Sequence, residues 1–333
     1  MIETGQFRMS FQAIAGQEHV KRVLQNGLRS GKLSHAYIFS GPAGSGRKRT
    51  AMALVKAIYC SGGQDEACGQ CLECRKLEHG NQPGLLWIEP DGASIKIEQI
   101  RELQKGMAYR STTNDRKIYV LNEAEKMTVQ AANSLLKFLE EPTSDVMAIL
   151  ITENGHALLP TIISRAQWLS FTPMNASRMA EILQEEGLPG SLVLPAVHLT
   201  AGVEAARELV SSNWFGEARK VMLQLAQETL ANLPSAMISL QKKVIKSDLN
   251  QHLGVFIDLW ILWLKDMVRL QCGQKDRLLF IDQLDWMERQ ANSRDSSFWI
   301  ACMEQAVDMQ KRIRFNANGQ LTLEKWMIDL RGG

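Results

Sequence analysis

The feature that most constrains the fold is an apolar run that leads into a glycine-rich loop and then into a helical pattern. The segment AYIFSG (36–41) has the length and apolar content of a buried strand, and KRTAMALVKAIYC (48–60), after the loop, has helical spacing. A strand, a tight glycine loop and a helix in this order are typical of proteins whose helices cover a largely parallel sheet. The first half of the chain is therefore predicted to form an α/β domain.

Further patterns extend this prediction along the first half of the chain. KIYVLNEAEKM (117–127) and DVMAILITE (145–153) are predicted as buried strands. TVQAANSLLKFLEEP (128–142) is predicted as a helix with Thr128 as its N-cap. The segment LPTIISRAQWLSF (159–171) is expected to carry the chain out of the sheet.

From about residue 172 onward the pattern changes to helices with charged outer faces. NASRMAEILQEEG and GVEAARELVSS have helical spacing, and the long tail carries almost no strand signal. The predicted fold class is therefore α/β plus all-α. Three parts are expected: an α/β domain over 1–171 with an insertion at 60–74, a small helical domain over 172–210, and an all-helical domain over 211–333.

The glycine loop matches a phosphate-binding P-loop in its glycines but not in its charged residues. A P-loop follows the pattern G-x-x-x-x-G-K-[ST], and Gly41 and Gly46 occupy both glycine positions, with Gly44 between them. Arg47 and Lys48 stand where a lysine and a hydroxyl residue belong. A guanidinium is longer and forked, so it is not an equivalent point charge, and Lys48 places a cation where a Mg²⁺ ligand is needed.

The second nucleotide motif is altered as well. An apolar strand in such proteins should end in Asp-Glu, with the aspartate organising Mg²⁺ and the glutamate polarising water, but here Asn122 precedes Glu123. An asparagine is a neutral and weak ligand for Mg²⁺. Two independent changes at one metal site predict that the chain does not hydrolyse ATP. The loop and the helix N-terminus could still bind nucleotide weakly, because they form an anion site.

Four of the six cysteines fall within a segment of fifteen residues. Cys60, Cys68, Cys71 and Cys74 form a C-x7-C-x2-C-x2-C pattern, whose four thiolates could complete the tetrahedral shell of a structural Zn²⁺. Such a closed shell leaves no position for a substrate, so a catalytic role is not expected. The alternatives are four reduced thiols in a surface loop and a redox pair, but two overlapping C-x2-C pairs with a fourth cysteine fit metal better.

Composition and charge set weaker limits. The chain of 333 residues is 45% hydrophobic and 22% charged, which is ordinary for a globular protein, and its net charge of +2 is too small to indicate nucleic acid. No apolar secretory core is visible at the N-terminus, and the cytoplasm is the expected compartment. The most apolar later stretch (255–268) is broken by Asp258 and Lys265 and is predicted as a buried helix, not a membrane span.

Taken together, these segments resemble the clamp-loader AAA+ family. The matching segments are IAGQEHVKRVLQNGLRSGKLSHAYIFSGPAGSG (14–46), the cysteine insertion after the P-loop helix, AANSLLKFLEEP (131–142) and LPTIISRA (159–166). The likeness is detailed in the N-terminal half and is limited to length and class in the C-terminal half. The altered nucleotide motifs resemble the delta-prime type of subunit in bacterial DNA polymerase III and differ from the ATP-hydrolysing type.

The resemblance implies an AAA+ domain, a small helical lid (172–210) and a C-terminal collar (211–333) through which the subunits form a ring. It implies as partners the tau/gamma-type ATPase subunits and the delta subunit, contacted through the collar and the AAA+ domain. Primed DNA would be reached through the assembled complex, with the sliding clamp as a further candidate partner. The isolated chain is expected to be a monomer without catalytic activity and without membrane contact.

The resemblance also assigns roles to single residues. Arg165 matches the arginine of the family's S-R-C segment, which projects across a subunit interface and stabilises charge on a neighbour's γ-phosphate. Its alternative role is a local salt bridge. Thr152 matches a polar residue that senses the γ-phosphate. The arginine expected in the lid is displaced, because Ala205 and Ala206 stand near its place and Arg207 follows them.

Two points stay open at this level. Lys96, Arg101, Lys105 and Arg110 lie on or beside a predicted helix, where they are candidates for DNA contact or form a solvated face. The competing functions are an ATP-hydrolysing AAA+ motor subunit of the clamp loader and a zinc-bearing nucleotide-binding adaptor unrelated to replication.

Overall fold

The first half of the chain is built on a sheet whose neighbouring strands are all parallel. The structure is a computed structural model that describes residues 10–108, 116–140, 146–315 and 317–331. The chain divides into two units, residues 1–174 and residues 175–333. The strands are β1 (Ala36–Ser40), β2 (Leu85–Ile88), β3 (Lys117–Leu121), β4 (Val146–Thr152) and β5 (Gln167–Ser170). Their order across the sheet is β2-β3-β4-β1-β5.

Helices cover both faces of this sheet. They are α1 (Glu18–Ser30), α2 (Arg47–Tyr59), α3 (Leu72–Glu78), α4 (Ile97–Ala108), α5 (Val129–Glu140) and α6 (Pro160–Ile163). Side chains alternate between the two faces along β1, because a strand has a period of two residues. Phe39 packs in one apolar cluster with residues of α1 and α2, and Ile38 packs in a second cluster with residues of α4, α5 and α6. The predicted α/β domain is confirmed.

The strand predictions were right for three strands and incomplete at both sheet edges. The strand predicted over 117–127 ends at Leu121, because the chain turns at Glu123, whose φ is 52°, and continues as a short 3₁₀ helix. Strand β2 was not predicted, and the segment expected to leave the sheet contains β5. Both are only four residues long and lie at the sheet edges, so their periodicity is weak. Asp145 lies outside the described residues.

In the described part of the second unit every regular element is a helix. The helices are α7 (Ala176–Glu185), α8 (Gly190–Leu199), α9 (Val203–Ser211), α10 (Asn213–Ala231), α11 (Leu233–Leu240), α12 (Leu253–Gln271), α13 (Leu284–Ala291), α14 (Ser296–Arg314) and α15 (Gly319–Arg331). The all-α prediction for this half is confirmed. A further division into a lid (172–210) and a collar (211–333) stays a prediction.

The apolar stretch at 255–268 lies in α12 of the second unit. Trp260 and Trp263 are fully buried there, as a buried helix requires. The buried carboxylate of Asp266 accepts the N–H groups of Leu279 (2.6 Å) and Phe280 (3.0 Å), so this charge in an apolar helix is satisfied. Among the residues that the structure describes, none of the helices combines the length and apolar content that a membrane span needs.

Gly41 joins β1 to the glycine loop at a crowded point of the sheet edge. Its N–H donates to the carbonyl of Thr152 on the neighbouring strand, at 3.2 Å. A Cβ added at Gly41 would lie 2.3 Å from the carbonyl oxygen and 2.7 Å from the Cβ of Phe171, which follows β5. The close approach of Phe171 leaves no room for a side chain, so this glycine is required by packing whether or not the loop binds phosphate.

We predict that Gly41→Ala lowers the free energy of unfolding of the N-terminal unit by about 3 kcal/mol, because the backbone of Phe171 must move. Hydrogen exchange of the β1 and β4 amides measures this opening locally. The control is Gly31→Ala, in the same unit, where φ is 66° and a Cβ meets nothing within 4 Å. That change should cost only about 1 kcal/mol, from the positive φ. Equal effects of the two substitutions would contradict the packing argument.

Candidate functional site

The candidate nucleotide site lies at the carboxyl edge of the sheet, where the parallel strands all end. The glycine loop turns through positive φ at Gly44 (80°) and Gly46 (90°), a conformation that favours glycine. Gln17 fixes the loop from outside, because its side-chain Nε2 donates to the carbonyls of Ser45 (3.1 Å) and Thr172 (2.7 Å). Helix α2 begins at Arg47, so its free N–H groups face the loop and favour negative charge there.

Arg47 is buried at this helix N-terminus and is paired with a carboxylate of its own chain. Its side chain is only 9% exposed, and Nη2 lies 3.6 Å from Oε1 of Glu153, the residue after β4. Burial lowers the pKa of Arg47, and the charge of Glu153 opposes this shift. An arginine remains protonated in proteins. A buried cation at the positive end of a helix dipole needs an anion beside it, and Glu153 supplies that charge.

Lys48 is paired in a similar way, with a residue that follows β2. Its Nζ lies 3.5 Å from Oε1 of Glu89. The same carboxylate oxygen accepts hydrogen bonds from the indole of Trp87 (3.0 Å) and from the buried amide of Asn122 (3.4 Å). The bond from Trp87 and the charge of Lys48 hold the pKa of Glu89 below its usual range. The Asn122 amide therefore contacts a carboxylate of the protein at the place where a Mg²⁺ ligand was considered.

Of the remaining residues considered for nucleotide contact, Glu123 and Arg207 are paired within the chain and Thr152 is buried. Glu123 forms an ion pair with Lys126, three residues further along. Thr152 is fully buried at the end of β4, and its hydroxyl has no hydrogen-bond partner among the described residues. Arg207, in the second unit, forms two hydrogen bonds to the carboxylate of Glu186, at 2.6 and 2.8 Å.

Arg165 follows the short helix α6 and is held by three contacts. Nη1 donates to the carbonyl of Thr161 (3.0 Å) and to Oγ of Ser164 (3.2 Å). Nη2 lies 3.0 Å from Oε1 of Glu140, and the arginine side chain is 35% exposed. The local ion pair considered from the sequence is therefore present, although part of the guanidinium remains exposed.

The four cysteines come together at the far end of α2. Their sulfur atoms all lie within 4.8 Å of one another, and Cys71 Sγ is 4.0 Å from Cys60 Sγ. Tetrahedral bonds of about 2.3 Å to one Zn²⁺ would separate the sulfurs by about 3.8 Å. The cluster could therefore hold a metal ion with little rearrangement, and His79, which ends α3, does not belong to it.

Backbone N–H groups point at three of these sulfur atoms. Cys68 N–H donates to Cys60 Sγ (3.2 Å), Cys71 N–H to Cys68 Sγ (3.4 Å) and Cys74 N–H to Cys71 Sγ (3.4 Å). The last bond lowers the pKa of Cys71 to about 5, whereas burial raises the pKa of Cys74 to about 12. Donors aimed at sulfur favour the thiolate, the form that binds metal.

The cysteine loop is fastened to the rest of the N-terminal unit. Asp65 forms an ion pair with Arg29 of α1 (2.5 Å), and Glu66 accepts the backbone N–H of Phe11 (2.8 Å). A Cβ at Gly63 would lie 1.8 Å from the carbonyl oxygen of Glu66, so the loop closes tightly around the sulfurs. This arrangement does not suit a loosely held surface loop of unrelated thiols.

Comparison with known proteins decides between the related types of subunit. Residues 16–175 match the family model described as DNA polymerase III, delta subunit. The DNA polymerase III subunit delta' of Bacillus subtilis is 33% identical over 320 residues, which cover 95% of this chain and 97% of that protein. The chain belongs to the delta-prime subunit family of DNA polymerase III. The resemblance to this family is thus confirmed, and so is the expected fold class of an α/β unit with a parallel sheet followed by an all-helical unit.

Other relatives match a smaller part or at lower identity. The DNA polymerase III subunit tau of Bacillus subtilis is 34% identical over 222 residues, which cover 63% of this chain and 39% of tau. Among solved structures, a DNA polymerase III gamma subunit-related protein from Thermotoga maritima is 20% identical, with a TM-score of 0.44, and the match covers 94% of this chain and 98% of that one.

For this delta-prime family member, sequence patterns missed the acidic partners in the site. Glu89, Glu153 and Glu140 were not singled out, although each contacts a residue that was. A signal existed for Glu153, since it ends the predicted strand 145–153 and must therefore lie at the carboxyl edge of the sheet. Because β2 was not predicted, the position of Glu89 could not be inferred.

Proposed function

We propose that the chain is a non-hydrolysing subunit of the DNA polymerase III clamp loader. In this role it organises the ring, helps to load the sliding clamp on primed DNA, and lends Arg165 to the ATP site of a neighbouring subunit. Membership of the delta-prime family supports the clamp-loader role. The observation that carries the non-hydrolysing part is that Arg47 and Lys48 are paired with the chain's own carboxylates.

ATP hydrolysis needs groups that this site does not offer. In a working P-loop a lysine reaches the β- and γ-phosphates, and a hydroxyl and an aspartate organise Mg²⁺. Here phosphate oxygens would compete with Glu153 for Arg47, and Lys48 and Asn122 stand at the two positions expected to organise Mg²⁺. Glu123, which would polarise water, is paired with Lys126. The residues do not fit catalysis, although weak binding of nucleotide at the loop is compatible with them.

We predict that the purified chain, supplied with Mg²⁺ and ATP, shows no turnover above that of an Arg47→Ala variant. A triple variant with Arg47→Lys, Lys48→Thr and Asn122→Asp should bind ATP at least about tenfold more tightly, because it regains the point charge and both Mg²⁺ ligands. Equilibrium binding of labelled ATP and a phosphate-release assay measure these outcomes. Turnover by the natural chain that Arg47→Ala abolishes would favour the alternative function, an ATP-hydrolysing motor subunit.

The proposed role of Arg165 needs an arginine that is exposed and firmly positioned. The side chain is 35% exposed and is held by Thr161, Ser164 and Glu140. Charge that develops on a transferred phosphoryl group is stabilised by a guanidinium that needs no reorganisation. The local contacts therefore support this role and do not exclude it.

We predict that Arg165→Ala leaves the chain folded and assembled but lowers ATP turnover at the neighbouring site by about tenfold or more. The measurement is steady-state hydrolysis by the reconstituted clamp loader, with size-exclusion chromatography to verify assembly. Arg178→Ala is the control, because Arg178 is also an exposed arginine in an ion pair, with Glu181 at 2.8 Å. Unchanged turnover in Arg165→Ala would remove Arg165 from the proposed function.

The four-cysteine cluster is proposed to bind a structural Zn²⁺. Cys60, Cys68, Cys71 and Cys74 would hold it, and four thiolates fill a tetrahedral shell. When bound, the ion would tie the end of α2 to α3, because Cys60 ends the first helix and Cys71 and Cys74 lie at the start of the second.

We predict about one Zn²⁺ per purified chain and less than half of that in Cys71→Ser. Retention should fall as the pH falls, because protons compete with the metal for the thiolates. Elemental analysis after dialysis over a pH series measures both effects. Cys272→Ser, at an exposed cysteine outside the cluster, is the control. Full zinc in Cys71→Ser would contradict the four-ligand site.

The partners follow from the same proposal. The tau/gamma-type and delta subunits would be contacted through the all-helical unit and the AAA+ domain, and the isolated chain would be a cytoplasmic monomer. Arg101 and Lys105 are exposed on α4 and remain candidates for DNA contact, whereas Lys96 forms an ion pair with Asp91 at 3.0 Å. Arg110 lies outside the described residues.

A further inference from the structure

We propose that Glu140 is a positioning residue that holds Arg165 in the orientation needed to reach a neighbour's ATP. This inference rests on the proposed function of Arg165 and adds the residue on which its geometry depends. It starts from one contact, the 3.0 Å separation between Arg165 Nη2 and Glu140 Oε1.

The two residues belong to elements that are fixed to the same apolar cluster. Glu140 is the last residue of α5, and its neighbour Leu139 is buried. Arg165 follows α6, whose Ile162 is also fully buried. Leu139 and Ile162 pack in the cluster that covers one face of the sheet. The ion pair therefore joins two rigidly placed helix ends, and its geometry is set by the core beneath it.

The contacts that position the Arg165 guanidinium leave some of its N–H donors free for a ligand. A guanidinium carries five N–H groups. The contacts to Thr161, Ser164 and Glu140 use at most three of them. With 35% of the side chain exposed, the remaining donors can serve phosphate oxygens while the existing contacts keep the group still. Such pre-ordering spares the side-chain entropy that a free arginine would lose on reaching its target.

This ion pair differs from an ordinary surface pair in how it is built. Arg178 and Glu181 are three residues apart on one helix and are 61% and 58% exposed, so that pair constrains little. Arg165 instead contacts two elements. Its Nη1 donates to the carbonyl of Thr161 and to the hydroxyl of Ser164, and its Nη2 pairs with Glu140. Removal of Glu140 would free one end of the guanidinium without removing the arginine.

The test compares Glu140→Ala, Glu140→Gln, Arg165→Ala and the double variant Glu140→Ala/Arg165→Ala in the reconstituted clamp loader. We expect Glu140→Ala to lower turnover at saturating ATP about three- to tenfold, with the KM for ATP unchanged. A misplaced Arg165 guanidinium would stabilise the transition state less well but would leave ATP binding in the ground state unaffected. Glu140→Gln should lie between Glu140→Ala and the natural chain, since its amide oxygen still accepts a hydrogen bond. The double variant should be no slower than Arg165→Ala alone, as expected for residues that act through one another.

The control is Glu181→Ala, the same substitution at an exposed helical ion pair, and it should leave turnover unchanged. Normal turnover in Glu140→Ala, together with slow turnover in Arg165→Ala, would overturn the positioning role and leave the arginine's role intact. Faster turnover in Glu140→Ala, or an effect that adds to that of Arg165→Ala, would also overturn it. Normal turnover in Arg165→Ala would instead refute the proposed role of Arg165, on which this inference rests. If Glu140→Ala fails to assemble, the milder Glu140→Gln decides by the same criteria.

Discussion

The parallel pairing of the strands is the constraint on which the whole candidate site depends. Parallel strands all end at one edge of a sheet, so the residues that follow them are brought together however far apart they lie in the chain. Ser40 pairs in register with Thr152, and Ile88 with Leu121. The glycine loop, Glu153, Glu89 and Asn122 therefore meet at this edge because each immediately follows a strand.

At that edge the chain neutralises charges that a nucleotide and its metal ion would otherwise meet. A buried cation without a partner is costly, and Arg47 also lies at the positive end of a helix. The carboxylate of Glu153 therefore stabilises the fold by balancing the charge of Arg47. Lys48 and Asn122 both contact Glu89. The altered residues of both nucleotide motifs thus contact acidic residues that follow β2 and β4. The result is a site in which the positive charges are largely balanced within the protein.

The two ends of α2 carry the two unusual features of this unit. Arg47 begins the helix inside the altered loop, and Cys60 ends it at the cysteine cluster. The opposite face of the sheet supports the other functional candidate, since α5 and α6 bring Glu140 to Arg165. Each candidate group is therefore held at the end of a helix that the apolar core fixes in place, which is where a single side chain can be exposed and still be well positioned.

Local patterns were sufficient to predict β1 with its glycine loop, α2, α5, the all-helical second half, and the cysteines as one cluster. These features depend on residues close together in the chain, so spacing and periodicity reveal them. The identities of Arg47, Lys48 and Asn122 were also enough to show that both nucleotide motifs are altered. The four-residue edge strands β2 and β5 were beyond this approach, because so short a run has little periodicity. The acidic partners Glu153, Glu89 and Glu140 were identified only from the tertiary structure. An ion pair forms between residues that are close in space, and the local sequence pattern does not indicate which distant carboxylate the fold will bring to a given arginine or lysine.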